Sequence, residues 1–380
     1  MPSTQHTSPQ DLAKKLQSVG AAFRLPGLFF SYEEVRTGNV NNTYKVNYIV
    51  DDGAGMARIK SYVVQKLNSF AFRNPVQLME NIDKVTEYIR RKRPEGMNLH
   101  YHHTEVTGER KTYLMDNGDL WRVVNFVPSI TFDTCDDPLI VRNAGVAFGD
   151  FQRVLEDFQA GDLFVTIPDF HNTRKRYEQL KEAIRLDPQG RYASAKAEAD
   201  DLLAVEEEAC QLTDLQMRGE LPLRVTHNDT KINNVLFDEA TRDALVVIDL
   251  DTVMPGLVAH DFGDAIRFAA NFTAEDSRDL TKTGVDLNIF WAFADGFLSQ
   301  TASGLTPAEL NTLGISPLAL ACELATRFLT DYLLGDPYFN IHCSDHNLVR
   351  ARCQIALAKD MGRKKDAMQS IVDGCAKKYR

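Results

Sequence analysis

Two short apolar runs with a polar loop between them constrain this chain more than any other feature. The first run delivers Val225-Thr-His227-Asn-Asp229, and Asn234 follows five residues after Asp229. The second run, Ala244-Leu-Val-Val-Ile248, ends on Asp249. Such runs read as core strands, and the loop then carries three polar side chains at defined spacing. Phosphoryl transfer from ATP asks for such a set, because its loose transition state leaves the protein mainly to position reactants and stabilise charge. An aspartate meets the acceptor hydroxyl, while an amide oxygen and a second carboxylate hold Mg²⁺ against the phosphates. Asp229, Asn234 and Asp249 fit those roles in that order. The competing account is a plain polar hairpin in which Asp and Asn are turn residues.

Composition limits the alternatives. With 380 residues the chain has room for two domains or lobes. Hydrophobic residues make up 44% and charged residues 25%, as in ordinary globular proteins. A net charge of −10 argues against a nucleic-acid surface and suits solubility. It also suits a cationic substrate. The six cysteines are scattered without a Cys-x-x-Cys pair, so reduced thiols are expected. The first residues lack an apolar core, and no apolar run approaches the length of a membrane span. The expectation is a cytoplasmic protein with no membrane or nucleic-acid partner, a monomer or weak homodimer.

Residues 1–7 read as disordered, and Ser8-Pro9 as the start of a short helix carrying Leu12, Leu16 and Val19 up to Gly20. From Ser31 the period moves towards two, marking a hairpin around Gly38-Asn39-Val-Asn-Asn-Thr43. Its glycine and asparagines suit an ordinary turn, or a loop whose N–H groups cover ATP phosphates. Gly38, Asn39 and Thr43 are therefore candidate ligand contacts. The next strand ends on Lys66, where protein kinases keep the lysine that grips the α- and β-phosphates. Asn74-Pro75 opens a helix whose Glu80 is the candidate partner of Lys66, with Glu87 on the same helix. The bland readings are a snorkelling lysine and a first-turn glutamate favoured by the helix dipole.

Two or three further strands fill Leu99 to Phe126, and alternation keeps His100, His102 and His103 from converging on a metal. The apolar strand Leu120 to Pro128 ends the β-rich part, with adenine expected at the backbone between Asn125 and Val127. This divides the chain into a nucleotide-binding lobe, 1–127, and a catalytic and substrate-binding lobe, 128–380. Helical spacing dominates afterwards: an amphipathic helix from Val141 to about Gln159, then a pair of solvated helices between Arg174 and Leu212. Asp261-Phe-Gly resembles a kinase metal motif in letters only, since Asp249 already fills that slot. Asp261 reads as a helix N-cap that braces the catalytic loop. His342-Cys343-x-x-His346 reads as chance proximity in a loop.

His227-Asn-Asp229, where protein kinases have His-Arg-Asp, resembles the small-molecule kinases of the aminoglycoside phosphotransferase and choline kinase superfamily. That resemblance implies an α+β, two-lobed, protein-kinase-like fold with a small, mainly antiparallel β N-lobe and a larger, mainly helical C-lobe. Several blocks resemble the N-acetylhexosamine 1-kinases more narrowly. They are Gly38 to Tyr44, Leu78-Met-Glu-Asn-Ile82, His227 to Asn234 with Ile248 to Gly256, and Arg327 to Phe339. The resemblance implies ATP and Mg²⁺ as cofactors and an N-acetylhexosamine as acceptor. It implies Asp229 as base, Asn234 and Asp249 as metal ligands, and Arg327, Tyr338 and the glycine loop at the sugar. One departure concerns acceptor preference: Asn39 and Asn42 stand where that family usually has histidine and aspartate. Kinases of choline, an aminoglycoside or another small alcohol are the alternative, and a nucleotide-binding pseudokinase is the third.

Overall fold

Ser8 caps the first helix: its hydroxyl accepts the Asp11 N–H at 3.1 Å, and Pro9 occupies the first turn of α1, Pro9–Ala22. The computed structural model describes residues 8–35, 40–51, 53, 55–93, 102–103 and 110–380, without the side chains of 102 and 103. The expected glycine turn at Gly38 and Asn39, His100, and residues 1–7 lie outside this set. The chain divides into two units, Met1–Pro128 and Ser129–Arg380.

The first unit is an antiparallel sheet with helices. Strands β1 (Leu28–Val35), β2 (Asn42–Asp51) and β3 (Ala57–Lys66) follow in order, then α2 (Pro75–Lys92) and the two-residue strands β4 (His102–His103) and β5 (Arg110–Lys111). The strands β6 (Tyr113–Asp116) and β7 (Asp119–Asn125) complete the five-stranded order β1-β2-β3-β7-β6. Alternation decides which side chain faces which helix. Tyr62 and Val64 of β3, with Trp121 and Val123 of β7, join Leu16 and Val19 of α1 in one core. Gln65 and Arg122, one residue out of phase, point the other way, where Arg122 reaches the Met79 sulfur of α2.

The second unit is mostly helical. Asp137 caps α3, Pro138–Val154, by accepting the Leu139 N–H at 2.9 Å, so this helix starts before the expected Val141. The segment expected to hold two helices holds four: α4 (Thr173–Leu186), α5 (Tyr192–Ala204), α6 (Glu206–Ala209) and α7 (Gln211–Met217). Arg174 of α4 ties α6 and α7 to it through Glu207 at 2.8 Å and Asp214 at 2.6 Å.

Four three- and four-residue strands then frame the central stretch. The strand β8 (Arg224–Thr226) pairs with β11 (Met254–Gly256), and β9 (Val235–Phe237) pairs with β10 (Ala244–Val247), both antiparallel. The helices α8 (Val258–Ala269), α9 (Leu287–Thr301), α10 (Pro307–Leu313), α11 (Ser316–Leu334) and α12 (His346–Tyr379) follow. Buried α11 packs against α4, α8 and α12 around one hydrophobic core. Helices α3 and α9 meet backbone to backbone: a Cβ on Gly145 would lie 2.4 Å from the Phe293 carbonyl, and one on Gly296 would lie 2.1 Å from that of Arg142. Asp295 of α9 adds a polar clamp, accepting from Arg142 of α3 and from Lys378 and Tyr379 of α12, each within 2.9 Å.

Candidate active site

Short strands position the catalytic loop, and its own side chains shape it. Asn228 takes a left-handed conformation at φ 64°, which asparagine tolerates because its side chain bonds locally. Its amide donates to the Thr252 carbonyl at 2.9 Å, and Thr252 Oγ1 donates to the His227 carbonyl at 2.6 Å. His227 is wholly buried and works as a pin. Its Nδ1 accepts the Asp229 N–H at 3.3 Å, which leaves Nε2 to donate to the Ile248 carbonyl at 2.9 Å. Phe148 and Phe151 of α3 meet its ring edge-on.

The expectation for Asp261 splits. Helix α8 starts at Val258, so Asp261 lies inside it and is not the N-cap, which falls at Leu257. Bracing of the loop does hold: the buried Asp261 carboxylate accepts the His227 N–H at 2.9 Å, the Asn228 N–H at 2.7 Å and the Gln152 amide at 2.6 Å. Burial nonetheless pushes its pKa up.

Asp229 is brought beside two partners. Lys231 Nζ lies 2.8 Å from Oδ1, and Asn234 Nδ2 donates to the Asp229 carbonyl at 2.8 Å and to Oδ2 at 3.2 Å. Burial would raise the Asp229 pKa, but the Lys231 ammonium outweighs it and holds the carboxyl below the usual range. A carboxylate ionised throughout the neutral range is what a proton acceptor needs.

The donor chemistry of the neighbouring residues suits a hard cation. The Asn234 amide nitrogen is committed to Asp229, which leaves its oxygen as the ligating atom. The Ile248 N–H donates to the Asn234 carbonyl at 2.9 Å, fixing Asn234 next to the strand end that carries Asp249. Asp249 is itself left-handed, at φ 61°. An amide oxygen and a carboxylate form an oxygen set of the kind Mg²⁺ or Ca²⁺ takes. Among the described residues no three His, Cys, Asp or Glu side chains converge on a metal.

Sequence reasoning missed a second layer behind the loop. His171, in the turn before α4, lies 3.0 Å from Glu323 of α11 through Nδ1 and 3.4 Å from the Asn228 carbonyl through Nε2. Burial opposes its charge, but Glu323 prevails and raises its pKa. Beneath it, burial and the neighbouring His171 push His260 down to about 3. A third group runs from Asp264 through Arg267 and Glu275 to Arg350, with contacts of 2.9, 3.0 and 2.6 Å. Lys231 was visible in the motif as a charge two residues after Asp229. His171 and Arg350 carried no periodic or motif signal.

One helical turn past Glu323, Arg327 sits among the rings of Phe170, Tyr338 and Phe339, with centroids 6.0, 5.9 and 5.4 Å away. Among the described residues its guanidinium makes no ion pair. Gly335, at φ 95°, ends α11 in a left-handed turn. Asp331 then accepts the N–H groups of Tyr338 and Phe339, each at 2.9 Å, which fixes those two residues against Arg327.

In the first unit, Thr43 lies in β2 and its hydroxyl accepts from Gln65 at 3.1 Å. Asn125 ends β7, and Val127 follows in the connection. The expected Lys66–Glu80 pair is corrected: Lys66 Nζ lies 2.7 Å from Asp119, and Glu80 is exposed. Alternation is the cause. Lys66 stands opposite Trp121, on the sheet face that packs against α1, while Glu80 is carried by α2 on the other side. Arg122, a cation on the sheet face that meets α2, donates to Gln65 at 2.9 Å.

The chain matches the APH phosphotransferase enzyme family over residues 35–287 and belongs to it. An aminoglycoside phosphotransferase from Alicyclobacillus acidocaldarius is 12% identical, with a TM-score of 0.61, over 95% of this chain and 96% of that one. An ethanolamine kinase from Plasmodium vivax is 14% identical, with a TM-score of 0.56, over 96% and 94% of the two chains. A choline kinase from Cryptosporidium parvum is 12% identical, with a TM-score of 0.56, over 95% and 99%. At such identities the likeness establishes the fold, which is kinase-like, with a small antiparallel sheet and a helical second part. The protein is a small-molecule phosphotransferase.

Proposed function

We propose that the protein transfers the γ-phosphoryl group of ATP to the anomeric hydroxyl of an N-acetylhexosamine, giving the sugar 1-phosphate. The observation that carries this reading is Arg327, held among three aromatic rings and making no ion pair among the described residues. Aromatic faces suit the apolar side of a sugar ring, and a guanidinium with unspent donors suits its oxygens. Asp229 accepts or orients the acceptor proton, with Lys231 keeping it ionised. Asn234 and Asp249 would hold Mg²⁺, which neutralises charge on the phosphates when bound. On the nucleotide side the proposal keeps Thr43, Asn125 and Val127, with Arg122, a cation on the α2 face, in place of Lys66.

A coupled ADP-release screen of the purified chain tests it, using ATP and Mg²⁺ with hexoses, N-acetylhexosamines, choline, ethanolamine and an aminoglycoside. The expected result is the highest kcat/KM for an N-acetylhexosamine, with the product phosphate resistant to reduction by borohydride because C1 is blocked. Preference for an amine acceptor overturns the sugar reading and leaves the phosphotransferase class intact.

A further inference from the structure

The charges around the acceptor side do not balance, although the whole chain carries −10. Most of the buried charges there are paired. Lys231 is matched by Asp229, Arg267 and Arg350 by Asp264 and Glu275, and His171 by Glu323. Both ring nitrogens of His171 face acceptors, which favours its charged form.

Two arginines have no ion pair of their own among the described residues, although Glu323 lies near both, and both touch Phe170. Arg327 lies over its ring at 6.0 Å, and Arg176 donates to its carbonyl at 3.2 Å. Arg176 spends its other donors on neutral oxygens, the Asp169 carbonyl at 2.8 Å and Gln179 at 3.2 Å, and its Nε is buried without a partner. Asp169, the nearest acid on that turn, is committed to Lys175. The groups facing the pair are therefore His171 and Glu323, already matched to each other, Asp169, which Lys175 holds, and the phenol of Tyr338, while the nearby Asp331 is turned to the Tyr338 and Phe339 N–H groups. Burial, then the proximity of Arg327, lowers the Arg176 pKa, as expected for two like charges close together.

We propose that Arg176 and Arg327 form a charge filter at the acceptor site, which admits uncharged or anionic oxygen-rich acceptors and rejects protonated amines. Arg327 contributes by contact, and Arg176 through its field and by holding the Phe170 turn. Like charges brought together in a partly desolvated site repel, and water screens them little there. Relatives of this fold named for ethanolamine and choline act on cations, so the filter would separate this chain from them by substrate charge. The inference rests on the sugar reading above and extends it from which acceptor is taken to which is refused.

Glucose and glucosamine make a matched pair, differing only in a hydroxyl or an ammonium at C2. With the full chain, ATP and Mg²⁺ at pH 6.5, kcat/KM should favour glucose by about tenfold or more. The gap should shrink at pH 9, where the sugar amine has lost its proton. Arg176→Gln should narrow the gap at pH 6.5 by about threefold or more. If that variant does not fold, the pH comparison on the wild type carries the test alone. Equal kcat/KM for the pair at pH 6.5, or a gap that pH leaves unchanged, overturns the filter while leaving the sugar reading standing. Should no sugar be turned over, choline and its uncharged carbon isostere are compared as competitive ligands. Tighter binding of the isostere supports the filter without the sugar reading, and tighter binding of choline overturns both.

Discussion

Asp261 accepts the backbone N–H of Asn228 at 2.7 Å, thirty-three residues away in sequence, and so holds the residue before Asp229 in its left-handed conformation. The same carboxylate takes the His227 N–H and the Gln152 amide. Removing it leaves buried donors unpaired, at about 1–3 kcal/mol each. Asp261→Ala should therefore lower unfolding stability by about 2 kcal/mol or more and reduce kcat together with it. Denaturant titration and turnover of the surviving folded fraction measure the two. A variant with wild-type stability shows that the loop does not need its brace.

Asp229 should titrate below the usual carboxylate range, because Lys231 outweighs burial. Its folded pKa is depressed, so the ionised form persists through neutrality and is lost only as pH falls through that lowered value. Lys231→Met removes the largest opposition to burial, and an acid limb should then enter the kcat/KM profile at mildly acidic pH. Asp229→Asn should reduce kcat by about 10²-fold or more with nucleotide binding retained. An unshifted acid limb in Lys231→Met means the ammonium does not set the charge of Asp229.

The two candidate metal ligands are unequal. A carboxylate supplies charge that an amide cannot, so Asp249→Asn should impair Mg²⁺-dependent activity more than Asn234→Asp does. Activity against Mg²⁺ concentration ranks them, and removal of the metal with EDTA should abolish turnover in the wild type. The reverse ranking exchanges their roles.

Arg327→Ala should raise the KM for N-acetylhexosamine by about tenfold or more, since hydrogen bonds from a charged donor are worth about 1.5–3 kcal/mol. The KM for ATP should barely move. A fall in melting temperature with both KM values unchanged makes this arginine structural.

Lys66 and Arg122 lie on opposite faces of one sheet, and kinases keep the phosphate-binding cation on the face that meets the helix. Lys66→Met should leave the KM for ATP within about threefold, and Arg122→Gln should raise it more than that. A large rise for Lys66→Met shows instead that the lysine leaves Asp119 when nucleotide binds.

The central stretch was legible because its chemistry is local. Asp229, Asn234 and Asp249 lie within twenty-one residues, and strand runs flank them on both sides. Helix starts were legible where Ser8-Pro9 supplied a cap and a proline, and the Asp137-Pro138 signal of the same kind was passed over. The Lys66–Glu80 pairing failed on an arithmetic the sequence already contained. Val64 and Lys66 share parity, and Val64 belongs to the face that packs on α1. His171, Glu323 and Arg176 were illegible because their meeting depends on how α4 packs against α11. No periodicity reports a contact between residues about 150 positions apart.

The seam between α3 and α9 has a consequence for how this protein can change. With glycine on both sides, no side chain stands between the two backbones that could adopt another rotamer, so the seam has one seating. His227 is registered against Phe148 and Phe151 of the same helix, and Asp229 is registered against His227. The geometry of the catalytic loop is thus inherited from a helix seam, and the acceptor side touches it at the Asn228 carbonyl through His171. The Phe170 turn and the turn after Gly335 are held by side chains, Arg176 and Asp331, and by no such backbone seam. New acceptor preferences would arise most readily there, by drift or by directed selection, without disturbing the phosphoryl-transfer residues.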